Sequence, residues 1–335
     1  MKLLSSYKVE RWNKVSKQTL TISALVLFVL CFLPFVASGL VVDKVTLLFI
    51  YILLAMMWNL LAGFSGLVSV GQQAFIGLGG YFALSLVGSG MSPYLALLIG
   101  ALSVGFVAYG MSFFVLQLKG GEFAIAMWVI AEVIRILVMM DPMVQGETGT
   151  SLLSMNAFDP ELRRNLNFWF ALASLTCFGG GLIWLLNSKI GSAAQAIRDD
   201  EEAASTIGIR VASIKRLIFV IAAVGCAVAG CLWLANTITF QPRSNFGVQW
   251  TVFMLFMVLV GGLGTIEGPI IGAVTFFILQ ELFGDFGAWY LAGVGLIAVL
   301  FALYIPNGIW GELQRRKGLH LLRTGAHLID RKSLP

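Results

Sequence analysis

Charge is scarce in this chain. Asp, Glu, Lys and Arg supply only 12% of its 335 residues, whereas 59% are hydrophobic. A soluble domain of that length needs far more charge to coat its surface, so the composition belongs to a bilayer. Histidine is nearly missing: His320 and His327 are the only two, both in the tail. The four cysteines (Cys31, Cys177, Cys226, Cys231) all fall inside apolar runs, where buried packing is their expected role. These shortages exclude a Cys/His metal cluster or a disulfide framework in the core. There is no GxxxxGK[ST] loop, so the chain has no nucleotide cradle of its own. Ser/His and Cys/His pairs are absent from the apolar runs, and the carboxylates are too scattered for a catalytic pair. Neither catalysis nor a bound cofactor is therefore expected. Any energy the chain uses comes from another chain or from an ion gradient.

What the chain does have is apolar length. A crossing needs about twenty apolar residues. Such runs lie at approximately 20–40, 45–63, 73–90, 93–117, 122–140, 167–187, 214–235, 250–266, 268–283 and 288–305. The third and ninth are short and Gly-rich. No small-residue cleavage pattern follows the first, so it reads as a retained span. The expected fold is an all-α polytopic membrane protein of about ten transmembrane or partly spanning helices. It divides into a basic N-terminus (1–19), a membrane domain (20–305) and a basic tail (306–335). The net charge of +5 comes from the placement of basic residues and needs no nucleic-acid partner. Of the 22 Lys and Arg, 17 fall at the two ends, at Lys119 and in the 189–216 loop. Lys44, Arg163, Arg164 and Arg243 lie on the opposite side, and Arg135 within a span. By the positive-inside rule both termini and the 189–216 loop are cytoplasmic. The tail either lies on the inner leaflet, which attracts its Lys and Arg, or is disordered. On the outer side, residues 141–166 carry Asp141, Glu147, Asp159 and Glu161. They either meet a soluble partner, line an entrance or form a solvated loop.

One polar island interrupts the apolar pattern: KIGSAAQAIRDDEEAASTIGIRVASIKR, residues 189–216. Free of Pro and rich in Ala, it predicts a short helix at the membrane surface. Its centre is Arg198, Asp199, Asp200, Glu201, Glu202, Ala203 and Ala204, with Gly208 beyond. Acidic residues favour a helix N-terminus through the macrodipole. The two alanines keep one face narrow, and Gly208 suits a left-handed cap. A small-faced helix with charged flanks fits the cleft of a soluble subunit.

The stretch AIRDDEEAASTIGIRVASIKRLIFV resembles the coupling segment of permease subunits in the hydrophobic amino-acid uptake ABC transporters, most closely the LivM type of branched-chain amino-acid permease. Two further stretches are similar to signatures of that family: WNLLAGFSGLVSVGQQAFIG from Trp58 to Gly77, and VGGLGTIEGPIIGA from Val260 to Ala273. The three occur in the family's order and cover most of residues 45–280. Gln72-Gln73 departs from the family pattern, where a small residue or His often stands at one position, and leaves the solute open. The resemblance implies an ATP-driven importer in a bacterial inner membrane. It also implies a second, similar permease, two ATP-binding subunits that carry ATP and Mg²⁺, and a periplasmic solute-binding protein. The solute would be a branched-chain or other hydrophobic amino acid, or a related amide.

Within the two Gly-rich stretches, Gly66, Gly71, Gly77, Gly262, Gly264, Gly268 and Pro269 allow close helix approach or interrupted helices. Ser69, Gln72, Gln73 and Thr265 are neutral hydrogen-bonding groups at those places. They either pass a zwitterionic or amide solute along a conduit or act as polar glue between helices. The stretches GLVSVGQQAFIG and GLGTIEGPIIG are alike with one gap, which hints at an internal repeat. Glu132 and Arg135, three apart in the fifth run, share a helix face. They form either an ion pair that fixes the bundle or part of the conduit or gate. Glu122 and Glu267 are expected near the inner surface and Glu281 near the outer, within reach of water. A rival from another class is a secondary transporter or channel for a small polar solute that uses Glu132 or Arg135 as a charge relay.

Overall fold

Each of the ten apolar runs except the first forms one helix. The computed structural model describes residues 7–10, 14–317, 321–322 and 327–330. The runs correspond to α1 (Lys14–Leu30), α2 (Gly39–Ser65), α3 (Gln73–Gly88), α4 (Pro93–Val115), α5 (Gly120–Met139) and α6 (Pro160–Leu186). The island follows as α7 (Lys189–Asp199) and α8 (Glu201–Thr206). Then come α9 (Val211–Thr237), α10 (Gln249–Gly261), α11 (Gly268–Phe283), α12 (Ala288–Tyr304) and α13 (Gly308–Lys317). Among the described residues, eight helices are long and apolar enough to cross a membrane. The other two of the ten runs differ for separate reasons. Helix α3 has only 16 residues, and α5 carries Glu122, Glu132 and Arg135 within its 20.

Two expected boundaries move. The first run is not one helix: α1 ends at Leu30, a single turn spans Leu33–Val36, and α2 starts at Gly39. Pro34 lies in that turn and has no N–H with which to continue α1. Helix α6 starts at Pro160 rather than near residue 167, because Asp159 caps it. The Asp159 carboxylate accepts from the N–H groups of Glu161 (3.1 Å) and Leu162 (3.4 Å).

Helices α2 and α9 form the centre, with 83% and 72% of an 18-residue apolar stretch in each buried. Around them pack α3, α4, α6, α10 and α11. In the span Val15–Val36 only 6% of such a stretch is buried. Small residues set the closest approaches. A Cβ on Gly71 would stand 2.1 Å from the Met127 carbonyl oxygen of α5, and one on Gly77 would run into the Phe246 ring.

Short strands tie the two ends of the bundle. Strand β1 (Tyr7–Glu10) pairs antiparallel with β4 (His327–Asp330), which brings these two segments side by side. Strand β2 (Thr150–Ser151) pairs with β3 (Thr239–Phe240) and joins the segment after α5 to the one after α9. In the segment after α5, Asp141 accepts from the Tyr81 hydroxyl (2.5 Å) and the Met143 N–H (2.9 Å). Both bonds stabilise the carboxylate and hold its pKa below the ordinary value. Of the basic residues at the ends, Lys2, Arg11, Arg323, Arg331 and Lys332 lie outside the described residues.

Two expectations about buried groups are corrected. Glu267 is not water-accessible: it is 9% exposed and accepts from the Trp310 indole N–H (3.1 Å) and the Leu322 N–H (2.7 Å). It thereby holds the start of the tail against the bundle. Only Cys226 and Cys231 are buried; Cys31 and Cys177 are exposed on the outside of the bundle. A thiol is a weak hydrogen-bonding group, so a hydrocarbon-facing position suits it as well as the interior.

Candidate functional site

The island is broken where a single helix was expected. Asp200 takes an extended backbone and closes α7, then caps α8 by accepting from the N–H groups of Glu202 and Ala203, both at 3.0 Å. Its short carboxylate satisfies amides that have no partner within the new helix. Arg198 and Asp199 therefore end one helix while Glu201 and Glu202 begin the next, where their charge opposes the positive end of the dipole. Gly208 has the left-handed φ of +87° that was expected of it, and the Ile209 N–H returns to the Ala204 carbonyl at 3.1 Å.

This broken element sits on the bundle by one face. Gly191, Ala194 and Ile197 are buried on α7 and Ala204 on α8. Glu202, Ala203, Ser205, Thr206 and Ile207 are exposed. Lys215, itself 10% exposed at the side chain, donates to Glu201 at 2.7 Å and ties α8 to the start of α9. Arg198 reaches further. Its Nη1 donates to the Gly63 carbonyl of α2 at 2.8 Å, and its other guanidinium nitrogens pair with Asp199.

At Gly63 the two Gly-rich stretches meet. Asn59, fully buried one turn earlier, accepts from the Gly264 N–H (2.9 Å) and donates to the Thr265 carbonyl (2.7 Å). A Cβ on Gly63 would lie 2.6 Å from the Gly264 nitrogen, so only glycine permits the contact. The Thr265 hydroxyl donates to the Gly262 carbonyl (2.8 Å) and accepts from the Gly268 N–H (3.0 Å), which braces the turn ahead of α11 and Pro269. The two stretches are alike in form: each is a Gly-containing turn, at Gly66 and at Gly262–Gly264, between a longer helix or a 13-residue one and a 16-residue one.

Ser69, Gln72 and Gln73 are buried to 1% exposure or less. The Ser69 carbonyl accepts from the Trp58 indole (3.0 Å) and its hydroxyl from the Gln72 amide (3.1 Å). The Gln72 oxygen accepts from the Cys226 thiol at 3.6 Å, and that of Gln73 from the Thr251 hydroxyl. These bonds join α3 to α9 and α10. The Ser69 oxygens, the Gln72 amide and the Gln73 side-chain oxygen are thus engaged inside the protein.

Glu132 and Arg135 lie elsewhere, along the exposed side of α5. Arg135 donates to Glu132 at 2.9 and 2.6 Å and also to Glu147 of the following segment at 2.5 Å. That second partner was not assigned from the sequence. The candidates thus fall into three places: the island, the paired Gly turns that it touches, and a charged group on α5. Asn59 and Gly63 belong to the first family-like stretch but were not among the expected site residues, although an amide inside an apolar helix was a visible signal.

The chain is similar to known proteins over most of its length. The family model described as "Branched-chain amino acid transport system / permease component" matches residues 40–304. The high-affinity branched-chain amino acid permease LivM of Escherichia coli is 28% identical, over 88% of this chain and 75% of its own length. LivH of the same organism is 30% identical over 40% of this chain and 44% of its own length. The fructose import permease FruG of Bifidobacterium longum is 24% identical over 43% of this chain and 45% of its own length.

Proposed function

Because the chain belongs to the permease-component family of branched-chain amino acid transport systems, we propose that it carries branched-chain or other hydrophobic amino acids inward across a bacterial inner membrane. It is a multi-pass permease of the ABC importer type, and that membership sets aside the self-sufficient secondary transporter. In this reading the chain performs no covalent chemistry. ATP and Mg²⁺ act on two ATP-binding subunits, a second permease completes the membrane unit, and a periplasmic protein delivers the solute. The bias of basic residues supports cytoplasmic termini and a cytoplasmic island.

The observation that carries the mechanism is the Arg198–Gly63 hydrogen bond. The exposed face of α8 around Ala203 docks on the ATP-binding subunit, and the buried face transmits its displacement. Arg198 and the Lys215–Glu201 pair connect the island to α2 and α9, the two central helices. When nucleotide closes the ATP-binding subunits, a shift of α8 moves the paired Gly turns and exchanges outward-open for inward-open states.

The test uses two exposed positions of the island. Ala203→Trp adds bulk on the docking face. Gly208→Val forces a β-branched residue into a left-handed conformation at about 1–2 kcal/mol, without a clash, since no atom lies within 4 Å of the added Cβ. Both variants should insert normally yet lose most ATP-driven uptake and solute-stimulated ATP hydrolysis. Normal uptake by both would sink the coupling assignment.

A further inference from the structure

A cleft of about 770 Å³ opens along α5 at the end of the bundle opposite the island. Four charged residues line it: Glu132 and Arg135 from α5, Glu147 from the segment after α5, and Arg243 from the turn before α10. Two carboxylates and two guanidinium groups leave the cleft neutral as a whole.

The pairing inside it is incomplete. Arg135 engages only Oε1 of Glu132 and Oε1 of Glu147. The second oxygen of each carboxylate has no partner among the described residues, and both side chains are about half exposed, at 51% and 47%. Arg243 is exposed and makes no ion pair among the described residues. If the cluster only fixed the bundle, the Glu132–Arg135 pair would suffice. Adding Glu147 over-neutralises Arg135 and leaves one negative charge in the same cleft as the unpaired Arg243. Charges on a membrane helix are costly unless water, protein or a ligand covers them. The rest of the wall is apolar and aromatic, with Trp128, Phe246 and Val248 among its residues.

We propose that this cleft is a binding subsite for a zwitterionic α-amino acid with an aliphatic side chain, resting on the import reading above. The ammonium group sits between the free oxygens of Glu132 and Glu147, and the carboxylate pairs with Arg243, whose planar fork suits bidentate contact. The aliphatic side chain lies against Trp128 and Val248. Arg135 contacts no solute; it holds the two carboxylates apart and aimed. The volume is within the ordinary range for small-molecule sites.

The test uses the full-length chain, with the subunits that purify with it, in lipid nanodiscs. Binding of L-leucine, 3-methylbutylamine (no carboxylate) and 4-methylpentanoate (no ammonium) is followed by saturation-transfer NMR. Wild type should bind leucine saturably. Arg243→Gln should weaken leucine tenfold or more and leave the amine unchanged. The double variant Glu132→Gln/Glu147→Gln should weaken leucine similarly and leave the carboxylate probe unchanged. Arg243 is exposed, so its variant should fold and the comparison stays interpretable. Absence of leucine binding in wild type, or equal leucine binding by wild type and Arg243→Gln, overturns the subsite. Uptake separates the two readings: ATP-driven import by wild type, with the leucine KM unchanged in Arg243→Gln, removes the cleft alone. No ATP-driven import by the wild-type assembly removes the import reading on which it rests.

Discussion

Helix α2 and the span Val15–Val36 are both apolar enough to cross a membrane, yet 83% of an 18-residue apolar stretch of one and 6% of that of the other is buried by protein. The peripheral span is the more apolar of the two. Hydrophobicity therefore does not place a helix at the centre of this bundle. Lipid tails accept Leu and Phe as well as another helix does, so burial by protein must come from packing and polar contacts. Helix α2 has both. Asn59 bonds to the turn before α11, and Gly63 lets that turn approach its backbone. The peripheral span exposes Phe28 and Phe35 at 62% and 69%, as suits a hydrocarbon-facing surface.

The contrast can be broken at its strongest point. In α9, the other central helix, a Cβ on Gly230 would fall 2.0 Å from the Ile76 carbonyl oxygen of α3. Gly230→Ala should therefore force two helices apart and cost about 3 kcal/mol. A thermal melt of purified protein in detergent reads this, and an unchanged midpoint would mean that α3 and α9 do not touch as described. A smaller loss, about 1–2 kcal/mol, is expected for Asn59→Leu, which leaves the Gly264 N–H and the Thr265 carbonyl unpaired. Proteolysis at residues 262–267 should quicken in that variant; resistance equal to wild type would show that the turn holds without Asn59. The smallest effect sharpens the comparison from the periphery. Gly295 on α12 has nothing within 4 Å of an added Cβ. The same chemical change, Gly295→Ala, should stay within about 0.5 kcal/mol of zero. A large loss of activity with stability intact would instead mark α12 as covered by another subunit.

Much of the architecture is legible in the amino-acid sequence. The apolar runs, the surface island and the left-handed Gly208 follow from local propensity and can be placed by position alone. The break at Asp200 is less visible, because an acidic residue reads equally as the first turn of one helix or as the cap between two. The Glu132–Arg135 pair is evident from its spacing, but Glu147 lies in a segment without periodicity, so nothing links it to Arg135. Ser69, Gln72 and Gln73 are recognisable as unusual polar groups. Whether they face a conduit or each other depends on helix rotation, which a weakly amphipathic sequence does not encode.

By itself the sequence determined the helices, the surface island between two of them and the family, because hydropathy, caps and motif order are local properties. Only the tertiary structure decided which spans are central and which polar groups meet. Arg198 and Gly63 are 135 residues apart, and Asn59 and Gly264 are 205 apart. Such contacts arise when small residues let backbones approach, and no local pattern records them. In a medium where lipid and protein interior are equally apolar, that approach is what turns a set of spans into one particular bundle.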